Sequence, residues 1–440
     1  MQRICLDKLV KWNEKKGRKP LVLMGARQVG KTWLMHEFAT RCYPADAVEV
    51  NFMREAALVE RVEHSNLDPQ SLLTVFQSVT GKQITPGRTL LILDEIQECP
   101  RALTALKFFC EDLPELAVVA AGSLLGLSVG GDDGRRSSFP VGKIDRIDVH
   151  PMTYSEFLLA IGKPSLVDAI DREDWTTVET LSYEYEDALR NYYITGGMPE
   201  AVKTFAETRN LTTVREVQRT ILADYDTDFK KHAKREVLPK IRLLWHNISA
   251  QLAKENKKFI YTALKAGARA REYETALQWL DDAGMVRQVF RVYPPELPIR
   301  SFCDFGAFKL YMHDVGLLGA MSGLSPRIVI EGNDLFTYSK GALTEQFVLE
   351  ELVAAGIEPG YWTPDQGISE VDFVVQGETR VYPLEVKSAT NTKAKSLGVY
   401  CRAHSPEFSV KSSLMPYRRD ERSRSIPLYA LGRQLPKELH

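Results

Sequence analysis

The chain has 440 residues, which is enough for about two to four domains that each bury a core of their own. Lys and Arg total 57 and Asp and Glu total 58, so the net charge of -1 favours no class of partner, although local basic surfaces remain compatible with it. The longest apolar runs have the length of strands, which excludes a membrane-spanning helix. The six cysteines lie far apart and form no CxxC pair, which predicts reduced thiols in a cytoplasmic protein rather than disulfides or a zinc site.

Apolar strand-like runs alternate with amphipathic helical stretches over the first 150 residues. Such an alternation predicts a parallel sheet in an α/β domain. The predicted strands are Pro20–Met24, Ala47–Phe52, Thr89–Leu93, Ala117–Ala121 and Ile144–Val149.

A glycine-rich segment follows the first predicted strand and precedes a predicted helix. It fits the pattern GxxxxGK[ST] and consists of Gly25, Ala26, Arg27, Gln28, Val29, Gly30, Lys31 and Thr32. Its glycines let backbone N–H groups curl around phosphates at a helix N-terminus, where the helix dipole also favours anions. We therefore expect this segment to bind ATP, with Lys31 reaching the β- and γ-phosphates and Thr32 ligating Mg²⁺. A glycine-rich turn without a ligand is the alternative.

Two carboxylates, Asp94 and Glu95, follow the apolar run of the third predicted strand. A nucleotide site needs an acid at the end of a neighbouring strand to hold the metal, and Asp94 is expected to accept the water shell of Mg²⁺. Glu95 is expected to polarise the attacking water. A protein that only binds nucleotide does not need the second acid, so the pair favours hydrolysis, although a capped helix start would also explain Asp-Glu at this place.

Ser123 follows the fourth predicted strand and is predicted to lie between the two preceding motifs, where it would sense the γ-phosphate. A serine that caps a helix is the alternative. An arginine finger is not identified by spacing, and Arg135, Arg136 and Arg146 are the candidate donors to a neighbouring subunit.

The pattern turns helical from Tyr154 to about Lys240 and is broken at Gly196–Pro199. The pattern of residues 241–325 then predicts a small separate module of three helices and a β-ribbon. This arrangement is typical of the winged-helix fold, which is related to the helix-turn-helix of DNA-binding proteins. The predicted helices are Ile241–Glu255, Phe259–Lys265 and Glu272–Ala283, and the predicted ribbon strands are Val286–Tyr293 and Phe308–Met312.

Basic residues cluster around the turn before the third of these helices, namely Lys257, Lys258, Lys265, Arg269 and Arg271. They predict a surface that contacts phosphates. The helix itself starts with acidic residues, which suits the major groove poorly, so a structural or protein-binding winged helix is the alternative.

Two later segments, Val371–Val375 and Leu384–Lys387, resemble the PD-(D/E)xK nuclease motif. Adjacent antiparallel strands would place Asp372 and Glu385 at one edge, where two carboxylates can hold magnesium. Lys387 would share the face of Glu385 and orient the attacking water.

A third acid, Glu345, belongs to the preceding predicted helix and stands on an apolar stripe with Val348, Leu349 and Leu352. A carboxylate there is costly unless it has a ligand or a partner. We therefore expect Glu345, Asp372 and Glu385, with Lys387, to form a metal site. A fold that keeps these residues only to bind nucleic acid or a partner is the alternative.

Several segments together resemble a family of bacterial and archaeal AAA-type ATPases whose C-terminal half is a domain of unknown function. They are GARQVGKT, LLILDEIQECP, AAGSLL, FPVGKIDRIDVHPMTYSEFL, GGMPEAV and YMHDVGLLGAM, so the resemblance covers nearly the whole chain. It implies an AAA+ core, then a winged-helix module, then a nuclease-like domain, and it is compatible with a ring oligomer.

The sequence thus predicts four parts: a P-loop AAA+-like core with a parallel sheet (1–152), a helical lid (153–240), a winged-helix module (241–325) and an α/β restriction-endonuclease-like domain (326–440). The predicted function is ATP hydrolysis with Mg²⁺, coupled to the handling of nucleic acid, with DNA favoured, in a cytoplasmic homo-oligomer. The alternative is an ATP-driven switch or scaffold that binds a protein and carries a vestigial nuclease fold.

Overall fold

The computed structural model describes residues 2–122, 140–254, 257–331, 334–366, 369–388 and 395–439. Ser123, Arg135 and Arg136 lie outside the described residues. The chain forms two compact units. We call Gln2–His150 with Asp282–Met285 the N-terminal unit, and the remainder from Pro151 onward the C-terminal unit.

The N-terminal unit alternates helices and strands as predicted. In chain order its elements are α1 (Cys5–Glu14), β1 (Leu21–Met24), α2 (Lys31–Cys42), β2 (Ala47–Asn51), α3 (Ala56–Glu63), α4 (Pro69–Thr80), β3 (Leu90–Asp94), α5 (Pro100–Asp112), β4 (Ala117–Ala121) and β5 (Asp145–Asp148). Each of the five predicted strands is confirmed to within one residue at either end. Local chemistry explains several helix starts: Asp68 caps α4 by accepting a hydrogen bond from the backbone N–H of Ser71, and Pro69 occupies the first turn.

The five strands form one parallel sheet in the order β2-β3-β4-β1-β5. Strand β4 therefore lies between β1 and β3, and the expectation that Asp94 ends a strand neighbouring the P-loop strand is wrong in this detail. The strands β1, β3 and β4 are buried along their whole length, because helices cover both faces of a parallel sheet. Uniformly apolar strands of this kind carry no information about their order.

Alternate residues of these strands point to one face and pack with α3, α4 and α5. Val22, Leu91, Leu93 and Val118 belong to this core, as does Phe76 of α4, and all are at most 1% exposed. Burial of side chains of this size stabilises a fold by about 1.5–3 kcal/mol each. The core thus sets the sheet on which the carboxyl ends of the strands present their polar residues.

The C-terminal unit begins with helices and ends with a large sheet. Its helices are α6 (Tyr154–Ala160), α7 (Pro164–Asp171), α8 (Trp175–Thr180), α9 (Ser182–Thr195), α10 (Pro199–Thr208), α11 (Leu211–His232), α12 (Leu238–Leu252), α13 (Ala270–Asp282), α14 (Val315–Met321), α15 (Pro326–Glu331), α16 (Asp334–Ala354), α17 (Lys395–His404) and α18 (Leu431–Glu438). Its strands are β6 (Val286–Val292), β7 (Cys303–Met312), β8 (Gly360–Trp362), β9 (Val371–Gln376), β10 (Val381–Val386), β11 (Ser409–Ser413), β12 (Arg418–Arg419) and β13 (Ser423–Pro427).

These strands form a single mixed sheet in the order β12-β13-β11-β10-β9-β8-β6-β7. The ribbon β6–β7 joins it through a parallel pairing of Arg291 in β6 with Tyr361 in β8. The ribbon predicted to belong to a separate winged-helix module therefore forms one edge of the C-terminal sheet. Strand pairing between segments about 70 residues apart leaves no local pattern in a sequence. The pairing of β6 with β8 therefore could not be predicted from the sequence.

The second predicted helix of that module, Phe259–Lys265, is only a short turn over Tyr261–Ala263. The backbone N–H of Phe259 donates to the carbonyl of Phe308 at 2.8 Å, and Lys258 bridges to Lys309. The start of the segment is thus held alongside β7 in an extended form. The winged-helix assignment stays a prediction.

A buried junction in the C-terminal unit joins two of the segments that resemble the AAA-type family, GGMPEAV and YMHDVGLLGAM. Asp314 accepts hydrogen bonds from the backbone N–H groups of Gly197 at 2.6 Å and Leu317 at 2.8 Å, and it caps α14. A Cβ on Gly197 would lie 2.1 Å from the carbonyl oxygen of Met152, so only glycine fits there. Burial raises the pKa of Asp314 to about 6, which the two N–H donors oppose. Packing and hydrogen bonding within the fold thus account for the aspartate and the glycine of these two segments.

In the part of the chain that the structure describes, no helix has both the length and the apolar character needed to cross a bilayer.

Candidate ATP site and C-terminal carboxylate cluster

The loop between β1 and α2 has a backbone that only particular residues can adopt. Gly25 has φ 138°, and a Cβ on it would lie 2.2 Å from the carbonyl oxygen of Val149. Gly30, at φ 91°, is the residue that precedes the first turn of α2. The two glycines allow the chain to turn sharply into the helix, whose N-terminal N–H groups carry partial positive charge. This arrangement suits an anion such as a phosphate.

The ammonium of Lys31 is held above this loop. Its Nζ donates to the carbonyl oxygens of Gly25 at 2.9 Å and Ala26 at 2.7 Å. Burial lowers the pKa of Lys31 to about 8, against the opposing influence of Glu95 and Asp94. The ammonium is already largely desolvated, so exchanging neutral carbonyl acceptors for charged phosphate oxygens would strengthen its hydrogen bonds.

Asp94 stands at the carboxyl end of β3 and is 4% exposed. It accepts hydrogen bonds from the hydroxyl of Thr32 at 3.2 Å, the amide Nδ2 of Asn51 at 3.3 Å and the backbone N–H of Glu95 at 3.0 Å. Burial raises the pKa of Asp94, and the charge of Glu95 raises it further. A divalent cation would reverse this effect, because it favours the charged carboxylate.

The residues at this point fit magnesium. Thr32 and Asp94 bring a hydroxyl and a carboxylate together, and hard cations prefer such oxygen ligands. Asn51 was not foreseen from the sequence. It pairs with Asp94 in the register of β2 and β3, and the only available signal was a polar residue at the end of an apolar strand.

Glu95 follows with φ 52°, a left-handed conformation that costs a non-glycine residue about 1 kcal/mol or more. It precedes a short turn, Ile96–Glu98, and its Oε2 accepts a hydrogen bond from Nε2 of Gln97. The half-buried carboxylate is therefore held by both the backbone and a neighbour. Gln97 is a second residue of this site that the sequence did not predict.

The C-terminal residues Asp372 and Glu385 lie on the adjacent antiparallel strands β9 and β10, as predicted. Oδ2 of Asp372 accepts a hydrogen bond from the backbone N–H of Val386 at 2.8 Å. Nζ of Lys387 lies 2.6 Å from Oε1 of Glu385, which confirms that these two side chains share a face. The strand geometry expected of this motif is therefore present.

Glu345 on α16 is 7% exposed, and Val348, Leu349 and Leu352 on the same helix are buried more deeply still. The partner that such a carboxylate needs is supplied by basic and phenolic groups from earlier in the chain. Nζ of Lys257 contacts its Oε1, the hydroxyl of Tyr311 donates to its Oε2 at 3.1 Å, and Nζ of Lys309 lies 3.8 Å from Oε2.

Lys309 on β7 is completely buried. Its Nζ lies 2.6 Å from Oε1 of Glu370 and 5.0 Å from the ring centre of Tyr361. We refer to these groups as the carboxylate cluster, which comprises Glu345, Glu370, Asp372 and Glu385 with Lys257, Lys309 and Lys387. Lys309 and Glu370 were not foreseen.

The charges of the cluster act on one another. Burial would raise the pKa of Glu345, but the ammonium groups of Lys257 and Lys309 lower it below its usual value. Burial raises the pKa of Asp372 to about 8, and the charges of Glu345 and Glu385 act in the same direction. Glu345 is thus held as an anion by lysines.

The cluster does not fit a magnesium ion as it is placed. Among the described residues, no group of three or more His, Cys, Asp or Glu side chains is arranged to hold a metal. The structure brings Glu345, Asp372, Glu385 and Lys387 within electrostatic reach of one another, yet it pairs Glu345 with lysines. The predicted metal site stays a prediction that these contacts oppose.

The predicted basic surface is partly retained. Lys258, Lys265, Arg269 and Arg271 are exposed, whereas Lys257 turns inward to Glu345. A second basic segment, residues 418–424 (RRDERSR), forms the β12–β13 hairpin, where Arg424 is buried and pairs with Glu438 at 3.0 Å.

Three stretches of the chain match known families. Residues 17–158 match the family described as an AAA domain, and residues 186–328 and 340–431 match two domains of unknown function, DUF8612 and DUF4143. No curated protein matches the chain at a significant level.

Among solved structures, the chain is similar to a Walker-type ATPase of Pyrococcus abyssi, with 13% identity, a TM-score of 0.43, and 72% of this chain and 94% of that chain covered. It is also similar to the Aeropyrum pernix ORC1 protein in complex with DNA, with 15% identity, a TM-score of 0.31, and coverage of 74% and 93%. A signal-transduction ATPase of Pyrococcus horikoshii has 12% identity, a TM-score of 0.29, and coverage of 80% and 45%.

The AAA match includes the loop of residues 25–32, strand β3 and the carboxylates of Asp94 and Glu95. Over residues 17–158 the chain therefore matches an AAA domain, and this match supports a P-loop ATPase domain of the AAA type in this part of the chain.

Proposed function

We propose that the protein hydrolyses ATP at the loop of residues 25–32 and couples hydrolysis to the handling of nucleic acid, with DNA favoured. The observation that carries the catalytic part is the convergence of Lys31, Thr32 and Asp94 at one end of the sheet. Lys31 binds phosphate oxygens, and Thr32 and Asp94 are the residues that would hold magnesium. When bound, magnesium supplies neutralisation of the phosphate charge.

Glu95 orients the attacking water and draws its proton as the bond to phosphorus forms. Its left-handed backbone and the hydrogen bond from Gln97 keep its carboxylate oriented, which reduces the reorganisation needed during the reaction. Asn51 steadies Asp94 and thereby acts as a positioning residue.

The nucleic-acid part of the proposal is supported by three exposed basic residues: Lys265 and Arg269 precede α13, and Arg271 belongs to its first turn. Cations grouped in this way contact phosphates and release counterions. The neighbouring Glu272 and Glu274 are exposed acids, which are poorly suited to the negatively charged DNA grooves. We therefore expect the basic residues to contact the phosphate backbone of the DNA and not to recognise its base sequence.

The test compares the ATPase rate with single-stranded, duplex and branched DNA, and measures DNA affinity at several salt concentrations. We expect stimulation by at least one form, and an affinity that falls steeply with salt. The triple change Lys265→Ala, Arg269→Ala, Arg271→Ala should flatten that salt dependence. The exposed Arg172 and Lys203, changed to alanine together, provide a control of similar kind. An ATPase that ignores every DNA form, with no salt-dependent complex, would reject the nucleic-acid part alone.

The alternative is an ATP-driven switch or scaffold that binds a protein and carries a nuclease-like fold that does not cut. The contact of Lys257 and Lys309 with Glu345 favours this alternative over magnesium-dependent cleavage. Cleavage by Glu345, Asp372, Glu385 and Lys387 would require those lysines to withdraw.

We also propose that the active form is a homo-oligomer, with a ring as one closed arrangement. Arg146 on the edge strand β5 is exposed and so remains open to a neighbouring copy.

A further inference from the structure

We propose that Lys309 is the built-in cation of the carboxylate cluster: its ammonium takes the place among the carboxylates that a divalent metal would otherwise fill, so that the folded protein holds no magnesium there. The inference is independent of the ATPase proposal, because all the residues involved belong to the C-terminal unit.

The pairing of charges is the first support. Lys257 contacts Glu345, Lys309 lies 2.6 Å from Glu370, and Lys387 lies 2.6 Å from Glu385. Each of the three ammonium groups thus has a different carboxylate as its partner. The remaining carboxyl, Asp372, accepts a hydrogen bond from the backbone N–H of Val386. Three ammonium groups therefore offset three of the four carboxyl groups, so a dication would meet one uncompensated carboxyl, Asp372, instead of four.

The burial of Lys309 is the second support. An ammonium without solvent is costly unless carboxylates surround it, and removal of its partners would leave a buried unpaired charge. The reverse also holds: without Lys309, Glu345 and Glu370 would lose a common cation, since its Nζ is 3.8 Å from the first and 2.6 Å from the second. A divalent cation is the species best suited to occupy the vacated position between these carboxylates.

The way in which β7 presents Lys309 is the third support. Lys309 and Tyr311 are two residues apart on one strand and therefore point to the same face, and both contact Glu345. Phe308 and Leu310 are buried on the other side. The backbone of Lys309 is also paired with Val289 of β6 and bridged to Lys258. The ammonium is thus held by a rigid strand, not by a loose side chain at the surface.

The test measures Mn²⁺ binding to the nucleotide-free full-length protein by electron paramagnetic resonance, in an Asp94→Asn background that removes the metal ligand of the ATP site. We expect no Mn²⁺ site tighter than about 1 mM in this parent, because Lys309 already compensates the carboxylates. Lys309→Met should create one new Mn²⁺ site, and Asp372→Asn added to it should remove that site.

Two results would overturn the proposal. One is stoichiometric Mn²⁺ binding by the parent that Asp372→Asn abolishes, which would make the cluster a metal site with Lys309 beside it. The other is a folded Lys309→Met protein that gains no Mn²⁺ site. If Lys309→Met does not fold, the melting temperature of the parent in Mn²⁺ and in chelator decides: equal values support the proposal, and a rise in Mn²⁺ that depends on Asp372 contradicts it.

Discussion

The hydroxyl of Thr32 donates a hydrogen bond to the carboxylate of Asp94, at 3.3 Å from Oδ1 and 3.2 Å from Oδ2, although the two residues are 62 positions apart. This contact joins the first turn of α2 to the carboxyl end of β3. It brings the two parts of the candidate magnesium site together, and the predictions for catalysis follow from it.

Changes at Lys31 and Glu95 should separate binding from hydrolysis. Lys31→Ala removes the ammonium above the loop and should abolish ATP binding, measured with a fluorescent ATP analogue. Glu95→Gln keeps the shape of the side chain but loses the base, so it should bind ATP and hydrolyse it about 100-fold more slowly or worse. Hydrolysis by Glu95→Gln at the wild-type rate would show that the catalytic assignment is wrong.

Changes at Asn51 should raise the magnesium requirement of the ATPase. Asn51→Ala loses a hydrogen bond to a charged acceptor, a change worth about 1.5–3 kcal/mol, or roughly 10-fold or more in the Mg²⁺ concentration for half-maximal rate. Asn51→Asp keeps the acceptor for the N–H groups of Met53 and Arg54 and adds a second carboxylate beside Asp94, which attracts a divalent cation, so the rise in the magnesium requirement should be smaller than in Asn51→Ala. An unchanged magnesium requirement in both variants would remove Asn51 from the site.

Specific ATPase activity should rise with protein concentration if a neighbouring copy completes the site. Arg146→Ala should lower the rate, and mixing it with Lys31→Ala should restore part of the activity, because one copy keeps the ATP loop and the other keeps the arginine. Arg172→Ala, a change at an exposed arginine of a helix, is the control. A flat concentration profile, together with a monomer by light scattering throughout, contradicts the oligomer; failure of the mixture to recover contradicts only the role of Arg146.

Stability of the C-terminal unit should depend on pH through Glu351. Burial raises the pKa of this carboxyl from 4.5 to about 7, although it accepts a hydrogen bond from the backbone N–H of Tyr154 at 2.8 Å. The stability that a raised pKa contributes is fully present below 4.5 and is lost as the pH rises through about 7.

Glu351→Gln keeps an acceptor for Tyr154 and removes the titration. Its free energy of unfolding should exceed that of the wild type by up to about 3 kcal/mol above about pH 8, with the difference shrinking toward pH 5. Denaturant unfolding at both pH values measures this, with the exposed Glu236→Gln as control. A difference that does not change with pH would show that Glu351 does not titrate in this range.

The ATP loop and the strands around it were predictable because their signals are local. A strand, two glycines at fixed spacing, a lysine and a helix are contiguous from Leu21 to Cys42, and the backbone geometry of Gly25 admits no other residue. Likewise, the two-residue spacing of Glu385 and Lys387 determines that they share a face once the strand is recognised.

Tertiary structure alone decided which distant residues meet. The placement of β4 between β1 and β3 depends on sheet order, which these uniformly buried strands do not encode in any pattern. The contact of Asn51 with Asp94 depends on the order and register of β2 and β3 in the sheet. The pairing of Lys257 and Lys309 with Glu345 depends on the ribbon joining the C-terminal sheet. From the sequence, an acid on an apolar stripe indicated only that a partner or ligand must exist, since burial of a lone charge is costly. Whether that partner is a metal or a lysine is determined by long-range packing, because only the folded chain brings β7 against α16.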